Sequence, residues 1–176
     1  MIAIACVDKN NGIGKDGKLL ISIPDDMKFF RETTRDNIVV MGRKTLFSFK
    51  DKMPLKNRIN IVFTNNDNLK DEYKGIDNIY FVKKYEELND IVKKHPDKKV
   101  FIIGGATIYH DLLPFYDTCL ITKIYKEFPA DSYFPDIEKL GFIKTDESEI
   151  HKYEDLEYQF LTYRKILEKD RYINER

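Results

Sequence analysis

The sequence predicts an α/β fold in which helices flank a central, mostly parallel sheet that ends in an antiparallel C-terminal hairpin. Apolar, β-branched runs alternate with stretches that carry apolar residues every three or four positions, which is typical of strand–helix–strand units. The last third changes to period-two alternation, which indicates paired antiparallel strands. With 176 residues, the chain fits a single domain, which we expect over 1–167, followed by a charged tail, 168–176.

The predicted elements follow one another without an internal repeat or a linker long enough to separate two domains. Strands are expected at 2–7, 37–41, 59–63, 78–82, 100–103 and 119–125. Helices are expected at 24–34, 43–49, 85–95 and 106–113, and the hairpin strands within 141–151 and 156–167. The one long irregular stretch near the start, 10–19, is rich in glycine and is predicted either as an ordinary turn region or as a mobile lid.

Composition narrows the classes of partner. The 30 Lys and Arg residues balance the 30 Asp and Glu residues, so no overall field draws the protein to nucleic acid or to an anionic membrane. Cys6 and Cys119 lie in apolar runs, where free thiols behave as small apolar groups, and this suggests a reducing compartment. No apolar run reaches the length of a membrane span. We therefore expect a cytoplasmic protein, a monomer by default, with no nucleic-acid or membrane partner.

Two adjacent carboxylates stand in the first turn of the first predicted helix. Acidic residues in a first turn commonly complement the helix dipole and nothing more. Helical phase places Asp26 over Phe29 and Phe30, whereas it places Asp25 over Lys28, toward the polar side. Asp26 is therefore expected to face an apolar cleft, where loss of hydration raises its pKa and favours an amidine-like partner. Such a group is a candidate for a functional site.

Two turns that follow buried strands could accept a phosphate. Residues 42–45, Gly-Arg-Lys-Thr, open one predicted helix, and residues 104–107, Gly-Gly-Ala-Thr, open another. Backbone N–H groups at a helix start attract anions, and the first of these turns adds two cations. A tight turn with solvated cations explains the first pattern equally well. Neither turn matches the G-x-G-x-x-G fingerprint, so an ordinary Rossmann fold is not expected.

Two further positions carry weaker signals. Thr64 and Asn65 follow the strand 59–63, where a hydroxyl and an amide suit either a turn or a sugar phosphate. Arg58 begins the same region beside Leu55, and a guanidinium next to an apolar floor could bind a carboxylate in a bidentate pair, although most arginines are solvated. Neither position identifies a ligand by itself.

Taken together, these residues resemble the dihydrofolate reductase family along most of the chain. The motifs that carry the resemblance are Gly12-Ile13-Gly14, Ile23-Pro24-Asp25-Asp26, Val40-Met41-Gly42-Arg43-Lys44-Thr45, Arg58, Ile103-Gly104-Gly105 and Phe134-Pro135. Each is weak alone, but their combination in this order is specific. The resemblance implies a dihydrofolate-reductase-like fold and the NADPH-dependent reduction of 7,8-dihydrofolate, with hydride transfer to C6, protonation at N5 and no metal.

The resemblance also assigns the substrate side of the site. It implies that Asp26 hydrogen-bonds the pteridine and favours its protonation, and that Thr122 supports this carboxylate. Arg58 is expected to pair with the glutamate α-carboxylate of folate. Dihydrofolate and antifolate-like small molecules are the implied partners. The residues expected to contact them are Ile4, Ala5, Asp26, Met27, Phe30, Phe49, Leu55, Arg58, Ile103 and Thr122, of which Ile4 and Ile103 act through their backbone carbonyls.

On the cofactor side, the resemblance implies that NADPH binds at the two glycine-containing turns, with its pyrophosphate at 104–107 and with 44–45 opposite. Arg43 and Thr64 are expected to favour NADPH over NADH through its 2′-phosphate. Tyr109 is expected near the nicotinamide and is grouped with Asp26 and Thr122 as catalytic, while 10–19 closes over the site and excludes water. The residues expected to contact the cofactor are Cys6, Ile13, Gly42, Arg43, Lys44, Thr45, Thr64, Asn65, Ile103, Gly104, Gly105, Ala106, Thr107 and Ile108.

Two positions depart from the family pattern. The family usually has Leu-Pro-Trp before its acidic helix, whereas this chain has Leu19-Leu20-Ile21 and no Trp. Because Ile21 cannot hold a water by hydrogen bonding, we expect the polar network behind Asp26 to be rearranged. Ala106 replaces a glycine found in some members, a smaller change because it adds only a methyl group.

Two other functions stay open at the level of sequence. A related NADPH-dependent pyrimidine reductase of riboflavin synthesis would share the cofactor half of the site, although Asp26 with Phe30 and the separate Arg58 suit a pteridine with a glutamate tail better. A noncatalytic NADPH-binding module would bind the cofactor and leave dihydrofolate unreduced.

Overall fold

The computed structural model describes residues 1–166, and most of their strands lie in one large sheet. The strands are β1 (Ile2–Val7), β2 (Gly12–Lys15), β3 (Lys18–Leu19), β4 (Ile38–Gly42), β5 (Ile59–Phe63), β6 (Ile79–Val82), β7 (Val100–Gly104), β8 (Thr118–Ile124), β9 (Ser132–Tyr133), β10 (Phe142–Glu147), β11 (His151–Tyr153) and β12 (Leu156–Lys165). The helices are α1 (Pro24–Thr34), α2 (Arg43–Ser48), α3 (Leu69–Glu72), α4 (Tyr85–Lys93) and α5 (Ala106–Asp111), with 3₁₀ turns at Lys50–Lys52 and Leu113–Phe115.

The main sheet has the order β10-β12-β8-β1-β7-β4-β5-β6, and β11 also pairs with β12. The strands from β8 to β6 are joined by parallel ladders, whereas β12 runs antiparallel to β8, β10 and β11. The prediction of a mostly parallel sheet with an antiparallel C-terminal part is confirmed. Because parallel strands end at one edge, the residues that follow β4, β5 and β7 come together there.

Both faces of the sheet are covered, which explains the continuous apolar runs of its central strands. On one face, Ala3 and Val40 pack in a buried cluster with Ile108 from α5. On the other face, Val39 packs in a second cluster that includes Phe30 from α1. Alternation along each strand divides the side chains between the two faces, so α1 lies over the even-numbered side chains of β1.

Local signals predicted most element boundaries well. The bounds of β1, β5 and α1 match the prediction residue for residue. The helices predicted at 43–49, 85–95 and 106–113 end one or two residues earlier, the last because Pro114 cannot continue an α-helix. The short α3 and β9 were not predicted. Leu167 and the predicted tail, 168–176, lie outside the described residues. Within 1–166, none of the helices has the length and apolar character of a transmembrane span.

The prediction of an irregular stretch at 10–19 is wrong. β2 and β3 form a short hairpin, and β9 pairs with β2 to complete a separate three-stranded sheet. The hairpin turns at Asp16-Gly17, where φ is 51° and 74°. Asp and Gly tolerate this left-handed conformation, and an Asp-Gly pair is a strong signal for a two-residue hairpin turn. The turn was therefore encoded locally.

The predicted two-strand C-terminal hairpin is in fact three strands, because β12 pairs first with β11 and then with β10. Residues 148–150 separate β10 from β11, and Ser148 replaces regular pairing at this point. Its N–H donates to the carbonyl of Phe160 over 2.9 Å, and its hydroxyl accepts from the N–H of Phe160 over 3.0 Å. A side-chain oxygen that competes with the backbone in this way interrupts a ladder.

Candidate active site

The candidate site lies where β1 and β7 stop pairing. These strands are paired at only two positions, Ile2 with Phe101 and Ala3 with Ile102. The register between β4 and β7 shifts at the same level and leaves Ile103 opposite no residue of β4. Beyond this point the backbone groups of β1 and β7 no longer bond to each other. The sheet therefore opens at its carboxyl edge, the usual location of ligands in α/β proteins.

Tyr109 supports this opening from α5. Its hydroxyl donates to the carbonyl of Ile4 over 2.6 Å, and its own carbonyl accepts from the hydroxyl of Tyr116 over 2.9 Å. Burial holds the pKa of Tyr109 well above its usual value, so the hydroxyl remains a donor. Gly104 has a φ of 110°, and a Cβ there would lie 3.0 Å from the Tyr109 ring, so the close approach requires glycine. The Tyr109 hydroxyl is thus engaged by the backbone.

Asp26 lies above β1 and β8 on the face that α1 covers. Its Oδ1 accepts a hydrogen bond of 2.6 Å from Oγ1 of Thr122, which is buried on β8. Burial raises the pKa of Asp26, and hydrogen bonds with Thr122 and Cys6 oppose that rise. The structure therefore brings together the carboxylate and the hydroxyl that the resemblance paired, in a setting that perturbs the carboxylate.

The neighbouring carboxylate has a different environment. Asp25 is exposed, and its Oδ2 accepts a hydrogen bond of 3.0 Å from the hydroxyl of Tyr158. Burial, with the hydrogen bond to Asp25, raises the pKa of Tyr158 to about 12. Helical phase thus separates two adjacent acids: Asp25 fastens the start of α1 to β12, and Asp26 points over β8.

Arg58 is held in place by α1 and by the segment before β5. Its Nε donates to Oγ1 of Thr34 over 3.2 Å, and its two terminal nitrogens donate to the carbonyls of Lys56 and Arg31 over 2.7 and 2.6 Å. A guanidinium carries five N–H groups, so two are not used by these bonds. Burial and the nearby Arg35 lower the pKa of Arg58, which nevertheless stays charged at neutral pH.

The apolar residues expected around the substrate lie on both sides of this opening. Phe30 comes from α1, and Phe49 and Leu55 come from the segment between α2 and β5; all three pack against the cluster that contains Ile4. Met27 is 38% exposed on α1. These side chains provide an apolar surface next to Ile4, which is the environment that a flat heterocycle requires.

Two buried polar residues that the sequence reasoning did not single out hold the walls of the site. Asn60 accepts from the N–H of Leu55 and donates to its carbonyl, both over 2.9 Å. The carboxylate of Asp8 accepts from the N–H groups of Gly12 and Phe128 over 2.7 and 3.0 Å. The signal in each case is a polar residue within or directly after an apolar strand, because a buried polar group needs partners.

The hairpin formed by β2 and β3 is fastened to the segment before β9. The N–H of Asp131 donates to the carbonyl of Gly14 over 3.0 Å, and Oδ2 of Asp131 accepts from the N–H of Asp16 over 2.8 Å. The bond from Asp16 is the main cause of the lowered pKa of Asp131. The segment suggested as a lid is therefore an ordered hairpin held at its tip by reciprocal hydrogen bonds.

The two glycine-containing turns are neighbours at the carboxyl edge of the sheet. A Cβ on Gly105 would lie 3.6 Å from Oγ1 of Thr45, and one on Gly42 would lie 3.1 Å from Ile108. The starts of α2 and α5 are thus in contact. Neither start has a side-chain cap, so their first N–H groups are available to an external acceptor. This arrangement fits a diphosphate.

Polar and cationic side chains surround these turns. Arg43, Lys44 and Asn65 are exposed, and the Arg43 guanidinium lies 5.9 Å from the Phe47 ring centroid. Oγ1 of Thr64 accepts from a backbone N–H over 3.0 Å, which leaves its O–H free to donate. Some residues expected at the substrate or the cofactor have buried side chains. These are Ile4 and Ala5 on the substrate side and Ile108 on the cofactor side.

Comparison with known proteins gives these features a family context. A family model described as dihydrofolate reductase matches residues 1–165. The dihydrofolate reductase of Bacillus subtilis is 33% identical over 164 residues, which cover 92% of each chain. That of Enterococcus faecium is 36% identical over 148 residues, 84% of this chain and 85% of its own. The solved structure of dihydrofolate reductase from Enterococcus faecalis, complexed with NADP(H) and RAB-propyl, superposes with a TM-score of 0.78 at 29% identity and covers 93% of this chain and 94% of that one.

Proposed function

The chain belongs to the dihydrofolate reductase family, and we propose that Asp26, held by Thr122, is the residue on which its NADPH-dependent reduction of 7,8-dihydrofolate to tetrahydrofolate depends. The observation that carries this proposal is the half-buried carboxylate of Asp26, which accepts a hydrogen bond from Thr122 beside the opening between β1 and β7. The relatives that match most of the chain are dihydrofolate reductases, so neither a pyrimidine reductase nor a noncatalytic module is favoured.

Asp26 binds the amidine-like edge of the pteridine, formed by N3 and the exocyclic amine. A carboxylate that has lost hydration gains strongly from two N–H donors arranged in this way. The hydroxyl of Thr122 holds one oxygen, so the carboxylate is oriented before the substrate arrives. The raised pKa of Asp26 makes its protonated form more accessible than that of an ordinary carboxyl group, which favours protonation of the substrate at N5.

The remaining substrate contacts follow from the walls of the site. Phe30, Phe49 and Leu55 enclose the pteridine and aminobenzoyl rings, and the carbonyls of Ile4 and Ile103 face the pteridine edge. Arg58 binds the glutamate α-carboxylate with the two N–H groups that are not used in its hydrogen bonds to Thr34, Lys56 and Arg31. Because its other N–H groups are already bonded, little side-chain entropy is lost on binding.

NADPH binds at the paired turns 42–45 and 104–107, whose uncapped helix starts fit its pyrophosphate. When bound, the cofactor supplies the hydride that reduces C6 of dihydrofolate. Arg43 and Thr64 donate to the 2′-phosphate and select against NADH. Tyr109 acts indirectly, because its hydroxyl holds the carbonyl of Ile4 and so keeps β1 in position.

The β2–β3 hairpin covers the site and limits access of water. Asp131 keeps its tip in place through Gly14 and Asp16, and Ile13 on β2 would contact the cofactor. Excluding water strengthens the hydrogen bonds of Asp26 to the pteridine. Opening of the hairpin would readmit substrate and solvent between turnovers.

We further propose that residues 1–167 form one domain, followed by the charged segment 168–176, and that the protein is a cytoplasmic monomer. The main sheet contains strands from both ends of the described chain, β1 and β12, which supports a single domain. Cys6 and Cys119 are unpaired thiols, which suits a reducing compartment. A diaminopyrimidine antifolate presents the same amidine-like edge as the substrate and is expected to bind at Asp26.

The direct test is consumption of NADPH, followed by its absorbance, with dihydrofolate as the second substrate. Turnover that requires dihydrofolate, and that is much slower with NADH, is the expected result. The control replaces dihydrofolate with a ribosylated aminopyrimidine, on which no turnover is expected. If NADPH binds and neither substrate is reduced, the proposed function is wrong.

A further inference from the structure

The environment of Asp26 lacks the indole donor that is usual in the family. Ile21 packs in an apolar cluster with Ile23 and Ile124, and it cannot donate to a carboxylate or hold a water beside one. Asp26 is nevertheless only partly exposed, and a carboxylate that loses part of its hydration is costly unless it is hydrogen-bonded. A second donor besides Thr122 would stabilise the ionised form of this group.

We propose that the Cys6 thiol is a positioning group for Asp26, which it holds from β1 while Thr122 holds it from β8. Cys6 and Thr122 are partners in the parallel β1–β8 ladder. Partners on neighbouring strands project to the same face about 5 Å apart, so both side chains lie beneath α1. The inference rests on the proposed function, because it concerns the same carboxylate.

The state of the thiol agrees with this role. Burial raises the pKa of Cys6 well above its usual value, and the charge and hydrogen bonding of Asp26 raise it further. Cys6 therefore stays protonated and can donate its S–H to the carboxylate. The same contact opposes the rise in the pKa of Asp26. Because sulfur is a weak donor, the effect should adjust the pKa of Asp26 without abolishing its rise.

Cys119 provides a matched control within the same ladder. It is the partner of Ala3, and alternation along the strand directs its side chain to the opposite face, where it is fully buried. It is thus a free thiol on a neighbouring strand that has no access to Asp26. Substituting Cys119 perturbs the cluster on the opposite face of the sheet.

The functional test is the pH dependence of hydride transfer, measured as single-turnover NADPH oxidation in the Cys6→Ala and Cys6→Ser variants. Removing a donor to the ionised carboxylate raises the pKa of Asp26, so Cys6→Ala is expected to move the midpoint upward by about half a pH unit. Cys6→Ser restores a donor and should return the midpoint to the native value or below it. Cys119→Ala should leave the midpoint unchanged. Coincident midpoints for the native protein and Cys6→Ala would overturn the proposal.

A second readout needs no catalysis. The S–H stretching band of Cys6, identified by its loss in Cys6→Ala, should shift in the infrared spectrum when Asp26→Asn removes the charged acceptor. The band of Cys119 should not move. A Cys6 band that is insensitive to Asp26→Asn overturns the contact itself. A shifted band in a protein that does not turn over dihydrofolate would instead contradict the proposed function and leave the thiol contact standing.

Discussion

Replacing Asp26 with Asn removes the negative charge of the candidate catalytic group and preserves its size. The amide oxygen can still accept from the hydroxyl of Thr122, so the local structure should survive. A hydrogen bond to a charged group contributes about 1.5–3 kcal/mol, and the pteridine edge offers two donors. Because Asn retains one neutral acceptor, we expect a loss of about 3–4 kcal/mol, or roughly 10²- to 10³-fold in kcat/KM.

The assay is NADPH consumption with dihydrofolate across a range of pH, and Asp25→Asn is the matched control. Asp25 occupies the same helical turn, is exposed and bonds to Tyr158, away from the opening of the sheet. We expect Asp25→Asn to retain activity within about threefold, since its amide oxygen can still accept from the hydroxyl of Tyr158. Equal activity of Asp26→Asn and the native protein at every pH, or an equal loss in both variants, would refute the reasoning.

The same substitution makes a separate prediction about stability. The pKa of Asp26 is raised in the folded state, so the folded protein binds a proton more tightly than the unfolded chain does. The contribution of this group to stability therefore falls as pH rises from the usual carboxyl pKa through the raised one. Asp26→Asn should unfold at higher urea concentration than the native protein at neutral pH, and this advantage should disappear in acid. An advantage that is the same at both pH values would contradict the raised pKa.

Three further substitutions test other parts of the site. Arg58→Lys keeps the positive charge but removes the paired N–H donors of the guanidinium, so KM for dihydrofolate should rise about 10- to 100-fold with little change in kcat. An unchanged KM would argue against a carboxylate bound at this position. Arg43→Ala should raise KM for NADPH by about tenfold and leave that for NADH unaltered, and an equal effect on both cofactors would place Arg43 away from the 2′-phosphate. Asp131→Ala removes the acceptor of the Asp16 N–H, so amide hydrogen exchange at Asp16 should accelerate; unchanged exchange would show that the hairpin does not depend on this bond.

Features that depend on neighbours in the chain could be predicted from the sequence. Pro24 and the acidic first turn mark the start of α1, and its predicted bounds are those observed. Helical phase was sufficient to separate Asp26 from Asp25. The Asp16-Gly17 turn is equally local, so the β2–β3 hairpin also belongs to this class. The apolar runs predicted the strands because strands buried on both faces carry little polar alternation.

The sequence by itself determined which segments become strands and helices and which acid on α1 faces inward, because these properties arise within one or two turns of the chain. Only the tertiary structure decided which side chains contact the carboxylate of Asp26. Thr122 is 96 positions away, and Cys6 reaches the same carboxylate because β1 lies between β7 and β8. The early end of β1–β7 pairing opens the site. Strand order and register are set by packing between distant segments, and no local pattern contains that information.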